Sequence, residues 1–226
     1  MRHYICILIC TFTALVGNTA FMLEKKHTML CLGDSYTIGE AVDEKDRFPN
    51  QAVTMLDKQG IHYKQPTIIA KTGWTTDELA DAIKDENLTS TYDIVTLLIG
   101  VNNQYRGRDT ANYKQEFEAL LNTAINYAGG NKNHVYVLSI PDWGQTPFAE
   151  GDKRSAEQIG KEIDAYNAVN KSVSAAHGVH YIDITDISRE VKEQRSLIAF
   201  DNLHPSGRMY TLWAERLAAA IKKNSK

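Results

Sequence analysis

Five short apolar segments, separated by longer stretches of mixed polar and apolar residues, set the pattern of this chain. Each segment is rich in β-branched residues and bounded by polar residues or glycine, as is typical of buried strands. They lie at residues 28–32, 67–70, 94–99, 135–140 and 179–184. The stretches between and after them carry apolar residues at helical spacing and predict helices at residues 50–59, 76–84, 111–128, 156–177 and 207–223.

The alternation of strand and helix predicts the fold class. Each connection between strands is too long for a hairpin, so neighbouring strands run parallel and helices cover both faces of the sheet. We therefore expect a three-layer α/β/α sandwich of the flavodoxin-like type with about five parallel strands. No linker or internal repeat interrupts residues 21–226, which indicates a single domain.

The first 20 residues differ in kind from the rest. Arg2 is followed by an uncharged apolar run, residues 4–16, and by a short segment that ends at Ala20. This order indicates an export signal that is cleaved after Ala20, and hence a periplasmic or secreted protein. The run is shorter than the roughly 20 residues that span a bilayer, so we expect no stable membrane insertion after cleavage. Because Asn18 is unusual near a cleavage site, an uncleaved N-terminal anchor is the alternative.

Composition narrows the function classes. The 226 residues are 43% hydrophobic and 23% charged with a formal net charge of -3, a balance that gives no basic surface for nucleic acid. Of the 3 cysteines, only Cys31 lies outside the export signal, and its place in the first predicted strand indicates a buried apolar role. The chain lacks a glycine-rich phosphate loop, and His177 and His180 straddle a predicted helix end, so we expect no cofactor and no metal.

Candidate chemistry begins at Ser35, which follows the first predicted strand in a Gly-Asp-Ser-Tyr motif. A serine hydroxyl attacks a carbonyl when a general base takes its proton and donors stabilise the oxyanion that forms. Near the C-terminus, Asp201 precedes His204 by three residues, so one loop can supply the base and the carboxylate that fixes its tautomer. This pattern predicts Ser35, Asp201 and His204 as catalytic residues.

Two further residues follow predicted strands between these groups. Gly73 comes after the second apolar run, and Asn102 comes after the third in a Gly-x-Asn-Asn motif. A glycine allows close backbone approach to the reacting carbonyl, and an asparagine amide donates to negative charge without carrying charge itself. Because the carboxyl ends of parallel strands meet at one edge of a sheet, we expect Ser35, Gly73 and Asn102 to lie together and form an oxyanion hole.

Serine, glycine, asparagine and histidine in this order and placement resemble the SGNH hydrolases, the GDSL esterase and lipase family, over nearly the whole chain after residue 20. The resemblance implies Ser35 as nucleophile, His204 as general base and Asp201 as the group that orients it. It also implies an oxyanion hole made of the Ser35 backbone N–H, Gly73 and Asn102.

Two positions depart from the family pattern. Tyr36 stands where the family name expects leucine, and Asn103 stands where many members carry aspartate. The second departure leaves the Asn102 amide in place, so it concerns a supporting hydrogen bond and the subfamily. The α/β-hydrolase fold is disfavoured because its nucleophile elbow needs a second glycine where this chain has Thr37.

The resemblance implies an enzyme that cleaves small-molecule acyl esters or acylated sugars through an acyl-enzyme intermediate. Carbohydrate O-deacetylases, lysophospholipases and thioesterases are the alternatives within the family. A non-catalytic carbohydrate- or cell-surface-binding domain with the same fold is the alternative from another class. Trp74 and Tyr105 are candidate substrate-binding residues because they lie in loops at predicted strand ends, as do Trp143 and Phe148.

Overall fold

The computed structural model describes residues 26–224, so the predicted export signal at residues 1–20 lies outside the described residues. One sheet of five parallel strands, in the order β2-β1-β3-β4-β5, forms the centre of the fold. The strands are β1 (Met29–Gly33), β2 (Thr67–Ala70), β3 (Ile94–Leu98), β4 (Val135–Leu138) and β5 (His180–Ile182). The predicted α/β fold with about five parallel strands is confirmed.

The helices found within this range are α1 (Ser35–Ile38), α2 (Phe48–Asp57), α3 (Thr76–Glu86), α4 (Val101–Tyr105), α5 (Thr110–Tyr127), α6 (Ala156–His177), α7 (Thr185–Arg189) and α8 (Gly207–Asn224). Right-handed crossovers decide which face each helix covers. The chain moves one way from β1 to β2 and the other way from β2 to β5, so α2 covers one face and α3, α5 and α6 cover the other. Helix α8 returns to pack against α2. In the described part of the chain, no helix is long and apolar enough to cross a membrane.

The central strand β1 leads to the candidate nucleophile and is buried at every residue. Leu32 of this strand is paired with Ile69 on one side and Leu97 on the other, so β1 is fixed from both edges. Cys31 is fully buried and forms no disulfide. Burial raises the pKa of its thiol from 9.0 to about 12, which keeps it protonated and unreactive at neutral pH.

Strands β4 and β5 each end two residues earlier than their apolar runs predict. Strand β4 ends at Leu138, and the Asn167 side chain then accepts from the Ile140 N–H at 2.8 Å and donates to the Ile140 carbonyl at 2.9 Å. Strand β5 ends at Ile182, and the Ile184 N–H donates to Ser139 Oγ at 2.7 Å. Ile140 and Ile184, at the ends of the two runs, are buried. Their backbone groups form hydrogen bonds with side chains instead of with a neighbouring strand.

The short helices α1, α4 and α7 are not predicted by apolar periodicity, because four or five residues are too few to show one. Helices α1 and α4 begin almost directly after β1 and β3, in the central part of the sheet. In a 2-1-3-4-5 sheet the strand order reverses between these two strands, and a crevice opens at their carboxyl ends. Ser35 and Asn102 therefore lie at the rim of this crevice.

Candidate active site

Ser35 lies where β1 passes into α1. Asp34 caps this helix, because its Oδ1 accepts a hydrogen bond from the Tyr36 N–H at 3.0 Å. Ser35 is the first residue of α1, and the N–H of a first helical residue has no partner inside its own helix. Gly33 allows the close turn, since a Cβ at this position would overlap the Thr37 side chain. The local fold thus presents both the hydroxyl and the N–H of Ser35 at the strand end.

Asp201 and His204 lie in the loop before α8. His204 Nδ1 and Asp201 Oδ2 are 2.6 Å apart, while Asp201 Oδ1 accepts from the backbone N–H groups of Leu203 and His204 at 3.0 Å each. The His204 side chain is almost fully buried. With Nδ1 facing the carboxylate, Nε2 is the ring nitrogen left to exchange a proton with another group.

The same contacts fix the charge of Asp201. Burial works to raise the pKa of this carboxyl, but the hydrogen bonds from the His204 ring and from the His204 and Leu203 N–H groups outweigh it and lower the pKa. Asp201 is therefore ionised at neutral pH. A carboxylate in this position stabilises positive charge on the imidazole.

Backbone hydrogen bonds hold the loop that carries these two residues. The Ala199 N–H donates to the His204 carbonyl at 2.8 Å, which closes the loop on itself. The Phe148 N–H donates to the Asn202 carbonyl at 3.1 Å, which ties the loop to the segment after β4. Asn202 has a φ of 65°, in the left-handed region that asparagine tolerates better than most residues.

Gly73 lies in the turn between β2 and α3. Its φ of 87° is one that glycine adopts without strain. The Gly73 carbonyl accepts a hydrogen bond from Arg106 Nη2 at 2.7 Å, and Arg106 Nη1 lies 3.2 Å from Glu78 Oε1. Arg106 therefore connects this turn to α3 and fixes the backbone that presents the Gly73 N–H.

Asn102 lies in the first turn of α4, and its Nδ2 donates to the Trp74 carbonyl at 2.9 Å. An amide nitrogen carries two hydrogens, so one remains for a second acceptor. The Trp74 backbone thus orients the Asn102 amide, and it does so from the residue next to Gly73. This hydrogen bond joins α4 to the turn that contains Gly73.

Asn103, the second departure from the family pattern, is fully buried between α4 and α3. Its Oδ1 accepts from the Thr76 N–H at 3.1 Å, and its Nδ2 donates to Thr76 Oγ1 at 2.6 Å. The Thr76 hydroxyl in turn donates to Glu116. An asparagine fits this position because the hydroxyl hydrogen is already used, whereas an aspartate would be a second buried acceptor near Glu116.

One cavity of about 170 Å³ brings Ser35, Gly73, Asn102 and His204 together. Four predicted site residues from separate parts of the chain thus line one space, with Asp201 hydrogen-bonded to His204. Apart from Thr72, the rest of the lining is apolar or aromatic and consists of Tyr36, Val101, Tyr105, Trp143, Phe148 and Leu203.

Three of these side chains form an aromatic wall, defined here as Tyr105, Trp143 and Phe148. Their ring centroids lie 5.4 Å (Tyr105–Trp143), 6.0 Å (Trp143–Phe148) and 6.4 Å (Tyr105–Phe148) apart. Trp143 is 2% exposed, whereas Tyr105 and Phe148 are 47% and 42% exposed, so the wall runs from the protein interior to the rim of the cavity.

The two candidate substrate-binding residues lie in different places. Tyr105 belongs to the aromatic wall and lines the cavity. Trp74 is not among the lining residues of this cavity in the described chain, because its side chain packs, partly buried, against the hydrophobic core. Trp74 reaches the site through its carbonyl, which holds the Asn102 amide.

Tyr36 and Asp34 have roles in the site that sequence reasoning did not assign. The Tyr36 ring packs edge-on against the His204 ring, with centroids 5.7 Å apart, and so restrains the imidazole plane. Asp34 is fully buried, and its Oδ2 has no hydrogen-bond partner among residues 26–224. Burial raises the pKa of Asp34 from 3.8 to about 7, although the Tyr36 N–H and the Asp34 N–H lower it. The departure at Tyr36 was visible in the sequence, but its partner His204 lies near the other end of the chain.

Metal-ligating side chains do not gather in the described part of the chain, where no group of three His, Cys, Asp or Glu residues could hold an ion. The two histidines considered as ligands have other partners. His177 Nε2 lies 2.8 Å from Glu118 Oε1, and the His180 ring stacks on Tyr136 with centroids 4.8 Å apart.

Comparison with known proteins gives a family and a set of similar folds. The model of the GDSL-like lipase/acylhydrolase family matches residues 31–212. Similar solved structures include TesA, at a TM-score of 0.67 and 19% identity over 87% of this chain and 99% of that one. A lipase/acylhydrolase from Enterococcus faecalis has a TM-score of 0.67 at 22% identity, over 87% and 96% of the two chains. The acetyl xylan esterase AlAXEase has a TM-score of 0.68 at 17% identity, over 86% and 99%. A search of curated protein sequences finds no match.

Proposed function

The chain belongs to the GDSL-like lipase/acylhydrolase family, and from this membership we propose that it hydrolyses esters of short acyl chains through an acyl-enzyme on Ser35. Membership of the family makes the protein a carboxylic ester hydrolase. The length of the acyl chain, the roles of individual residues and the cellular location are our proposal.

In the proposed reaction, Ser35 Oγ attacks the ester carbonyl while His204 Nε2 takes the hydroxyl proton. Asp201 holds the imidazole through Nδ1 and stabilises its positive charge. The Ser35 N–H, the Gly73 N–H and the Asn102 amide donate to the oxyanion. His204 then gives the proton to the leaving alcohol, and a water molecule activated by His204 releases the acyl group from Ser35.

The observation that carries this proposal is the shared cavity. Ser35 and His204 line the same small space, and His204 Nδ1 is 2.6 Å from the ionised carboxylate of Asp201. Asn102 lines the space as well, with one amide hydrogen bonded to Trp74 and the other available. This grouping of nucleophile, base, orienting carboxylate and oxyanion donor supports the proposed acyl transfer.

The size of the cavity supports a short acyl chain. Its volume of about 170 Å³ is below the roughly 300–1,000 Å³ of pockets that enclose drug-sized ligands. Trp143 is buried at its inner side, so a long chain would have to displace a fixed aromatic ring. We expect acetyl to butyryl esters to be better substrates than octanoyl or longer esters.

A second candidate concerns the alcohol part of the ester. Tyr105 and Phe148 are half-exposed at the rim of the cavity, and exposed aromatic faces beside a reactive centre suit the apolar faces of sugar rings. AlAXEase, one of the similar solved structures, is an acetyl xylan esterase. Acetylated sugars are therefore the preferred natural substrate class within the proposal.

Export is part of the proposal and rests on residues 1–20 alone. A charged start, an apolar run too short to span a bilayer and a small final residue support a cleaved signal. Expression of the whole chain in a bacterial host, followed by mass spectrometry of the cytoplasmic, membrane, periplasmic and medium fractions, tests it. A protein that begins at residue 21 supports export, and a full-length protein kept in the cytoplasm contradicts it.

A fluorophosphonate probe and a series of p-nitrophenyl esters test the enzymatic proposal. We expect covalent labelling of the wild type on Ser35 and loss of both labelling and hydrolysis in Ser35→Ala. The matched control is Ser172→Ala, which removes an exposed hydroxyl from α6. Absence of labelling and of turnover in the folded wild type would favour the non-catalytic binding domain instead.

A further inference from the structure

A chain of hydrogen bonds supports the aromatic wall from behind the cavity. The Trp143 indole N–H donates to Gln104 Oε1 at 2.9 Å, and both side chains are 2% exposed. Gln104 Nε2 donates to Glu162 Oε2 at 2.6 Å. Gln104 does not line the cavity, yet it holds the buried ring that does.

Arg154 completes this support. Its Nη1 donates to the same Glu162 oxygen at 3.1 Å, and its Nε and Nη2 donate to the two carboxylate oxygens of Asp152 at 3.0 Å each. The guanidinium lies 5.2 Å from the Trp143 ring centroid and 5.6 Å from that of Tyr105. A planar guanidinium held by two carboxylates makes a fixed surface on which aromatic rings pack.

Helix α4 connects the aromatic wall to the proposed oxyanion hole. Asn102, Gln104 and Tyr105 belong to one five-residue helix, α4. That helix contributes an oxyanion donor, a ring of the wall and the acceptor that fixes Trp143. Helix α4 and its hydrogen bonds therefore set how far the Trp143 ring lies from the proposed oxyanion hole.

We propose that Gln104 and Arg154 are positioning residues that limit the length of the acyl chain by fixing the Trp143 ring at the inner side of the cavity. The inference rests on the proposed ester hydrolysis and goes beyond it, because neither residue lines the cavity. Gln104 acts through a direct hydrogen bond to Trp143, and Arg154 acts through the packing of its guanidinium on the ring.

Chain-length selectivity is the readout that a merely structural role would not change. The measurement is kcat/KM for p-nitrophenyl acetate divided by that for p-nitrophenyl octanoate. In Gln104→Leu the ring loses its acceptor, and we expect this ratio to fall about tenfold, as for the removal of contacts that exclude a few methylenes. In Arg154→Gln we expect a smaller fall of about threefold, the size of one cation–π contact.

A double-mutant cycle separates the proposed route from general disturbance. Trp143→Phe keeps a ring but removes the N–H donor, so adding Gln104→Leu to it should change the ratio little further. Arg216→Gln is the matched control, because Arg216 pairs with Asp186 through two contacts of 2.5 and 2.8 Å and does not line the cavity. We expect the wild-type ratio in this control.

Each result decides the inference. An unchanged ratio in folded Gln104→Leu and Arg154→Gln overturns it, as does a full additional effect of Gln104→Leu in the Trp143→Phe background. If Gln104→Leu does not fold, Arg154→Gln and Trp143→Phe still give the ratio. A wild type that hydrolyses no ester contradicts the proposed function and this inference together. An active wild type whose Gln104→Leu and Arg154→Gln variants keep the wild-type ratio contradicts the inference alone.

Discussion

The two halves of the candidate active site are built in different ways. The strand-end half, defined as Asp34, Ser35, Gly73 and Asn102, follows β1, β2 and β3, which are adjacent in the sheet. The loop half, defined as Asp201 and His204, belongs to an irregular segment held by backbone hydrogen bonds to neighbouring turns. The first half inherits its geometry from paired strands, and the second depends on the contacts of one loop.

Each half contains an aspartate whose proton affinity is shifted, and the shifts are opposite. Asp34 in the strand-end half is fully buried with Oδ2 unpartnered among the described residues, and burial raises its pKa to about 7. Asp201 in the loop half is also partly buried, but its hydrogen bonds with His204 and Leu203 lower its pKa. Hydrogen bonds to both oxygens, and not burial alone, decide which carboxyl is charged.

This contrast separates two uses of a carboxyl beside reacting groups. In the proposed mechanism, Asp201 keeps a negative charge where a positive charge forms, so its expected contribution is electrostatic. Asp34 uses one oxygen to cap α1, and a charge on its other oxygen would lie in a low-dielectric interior without compensation. Variants of the two halves should therefore differ in kind as well as in size.

The largest expected effect tests whether both halves are needed at once. We expect Ser35→Ala and His204→Ala each to lower kcat by about 10⁴ or more, because nucleophile and base act as a unit. The double variant should lose no more than either single variant. Steady-state kinetics on p-nitrophenyl acetate, with circular dichroism as the folding control, give the values, and additive losses would mean that the two residues act in separate steps.

The second effect concerns the charge of the loop half. Asp201→Asn keeps the shape but removes the carboxylate that orients His204, and we expect kcat to fall roughly 10²- to 10⁴-fold. Because the folded-state pKa of Asp201 is lowered, the stability it contributes is present above its unfolded value near 4 and is lost as pH falls through the lower folded value. The difference in free energy of unfolding between wild type and variant should thus be full at pH 7 and shrink below about pH 4. A difference that grows on acidification would contradict the assigned charge.

The third effect compares two neighbours in α4. Asn102→Ala should reduce kcat roughly 10²- to 10³-fold with little change in KM, because in the proposed mechanism its amide donates to charge present only in the transition state. Asn103→Ala should cost less in kcat but more in stability, since it removes both buried contacts with Thr76. Kinetics and chemical denaturation of both variants provide the test. A larger kcat loss for Asn103 would show that the oxyanion donor is the other residue of the pair.

The sequence predicts the strand-end half well and the surroundings of the site poorly. The parallel sheet of about five strands, and the placement of Ser35, Gly73 and Asn102 after strands, follow from the apolar runs, the long connections between them and the rule that the carboxyl ends of parallel strands share one edge. The packing of Tyr36 on His204 does not follow, because it depends on how distant segments meet. For the same reason, the position of Trp74 next to Gly73 does not predict that its side chain lies outside the cavity while its carbonyl accepts a hydrogen bond from Asn102.

The support of the aromatic wall was equally beyond prediction from sequence. Gln104 and Arg154 stand among many polar residues, and only tertiary contacts distinguish them. The departure at Asn103, where many members of the family carry aspartate, is visible in the sequence. Its explanation requires Glu116, which lies outside the motif and contacts Asn103 through Thr76. Side-chain partners distant in sequence are set by packing, which no local pattern encodes.

The smallest expected effect on kcat is that of Asp34→Asn, and it sharpens the contrast between the two aspartates. The variant keeps Oδ1 as acceptor for the Tyr36 N–H and removes a carboxyl that touches no reacting atom in the proposed mechanism, so we expect kcat within about tenfold of the wild type. Its stability should instead depend on pH. Asp34 has a folded-state pKa of about 7 against 3.8 in its ordinary environment, so the folded wild type holds a proton that the unfolded chain releases.

Between pH 4 and pH 7 the wild type should therefore lose stability relative to Asp34→Asn, by on the order of 2–4 kcal/mol, with no further change above about pH 8. Urea denaturation of both proteins at several pH values measures this difference, and taking it between two variants of one chain cancels the other titrating groups. Asp109→Asn is the matched control, because Asp109 caps α5 with the same type of hydrogen bond but is exposed to solvent. We expect a much flatter difference for that pair, since Asp109 is not enclosed in a low-dielectric interior. A flat profile for Asp34→Asn would mean that the buried carboxyl is stabilised as an anion like Asp201, and the two halves of the site would then be electrostatically alike.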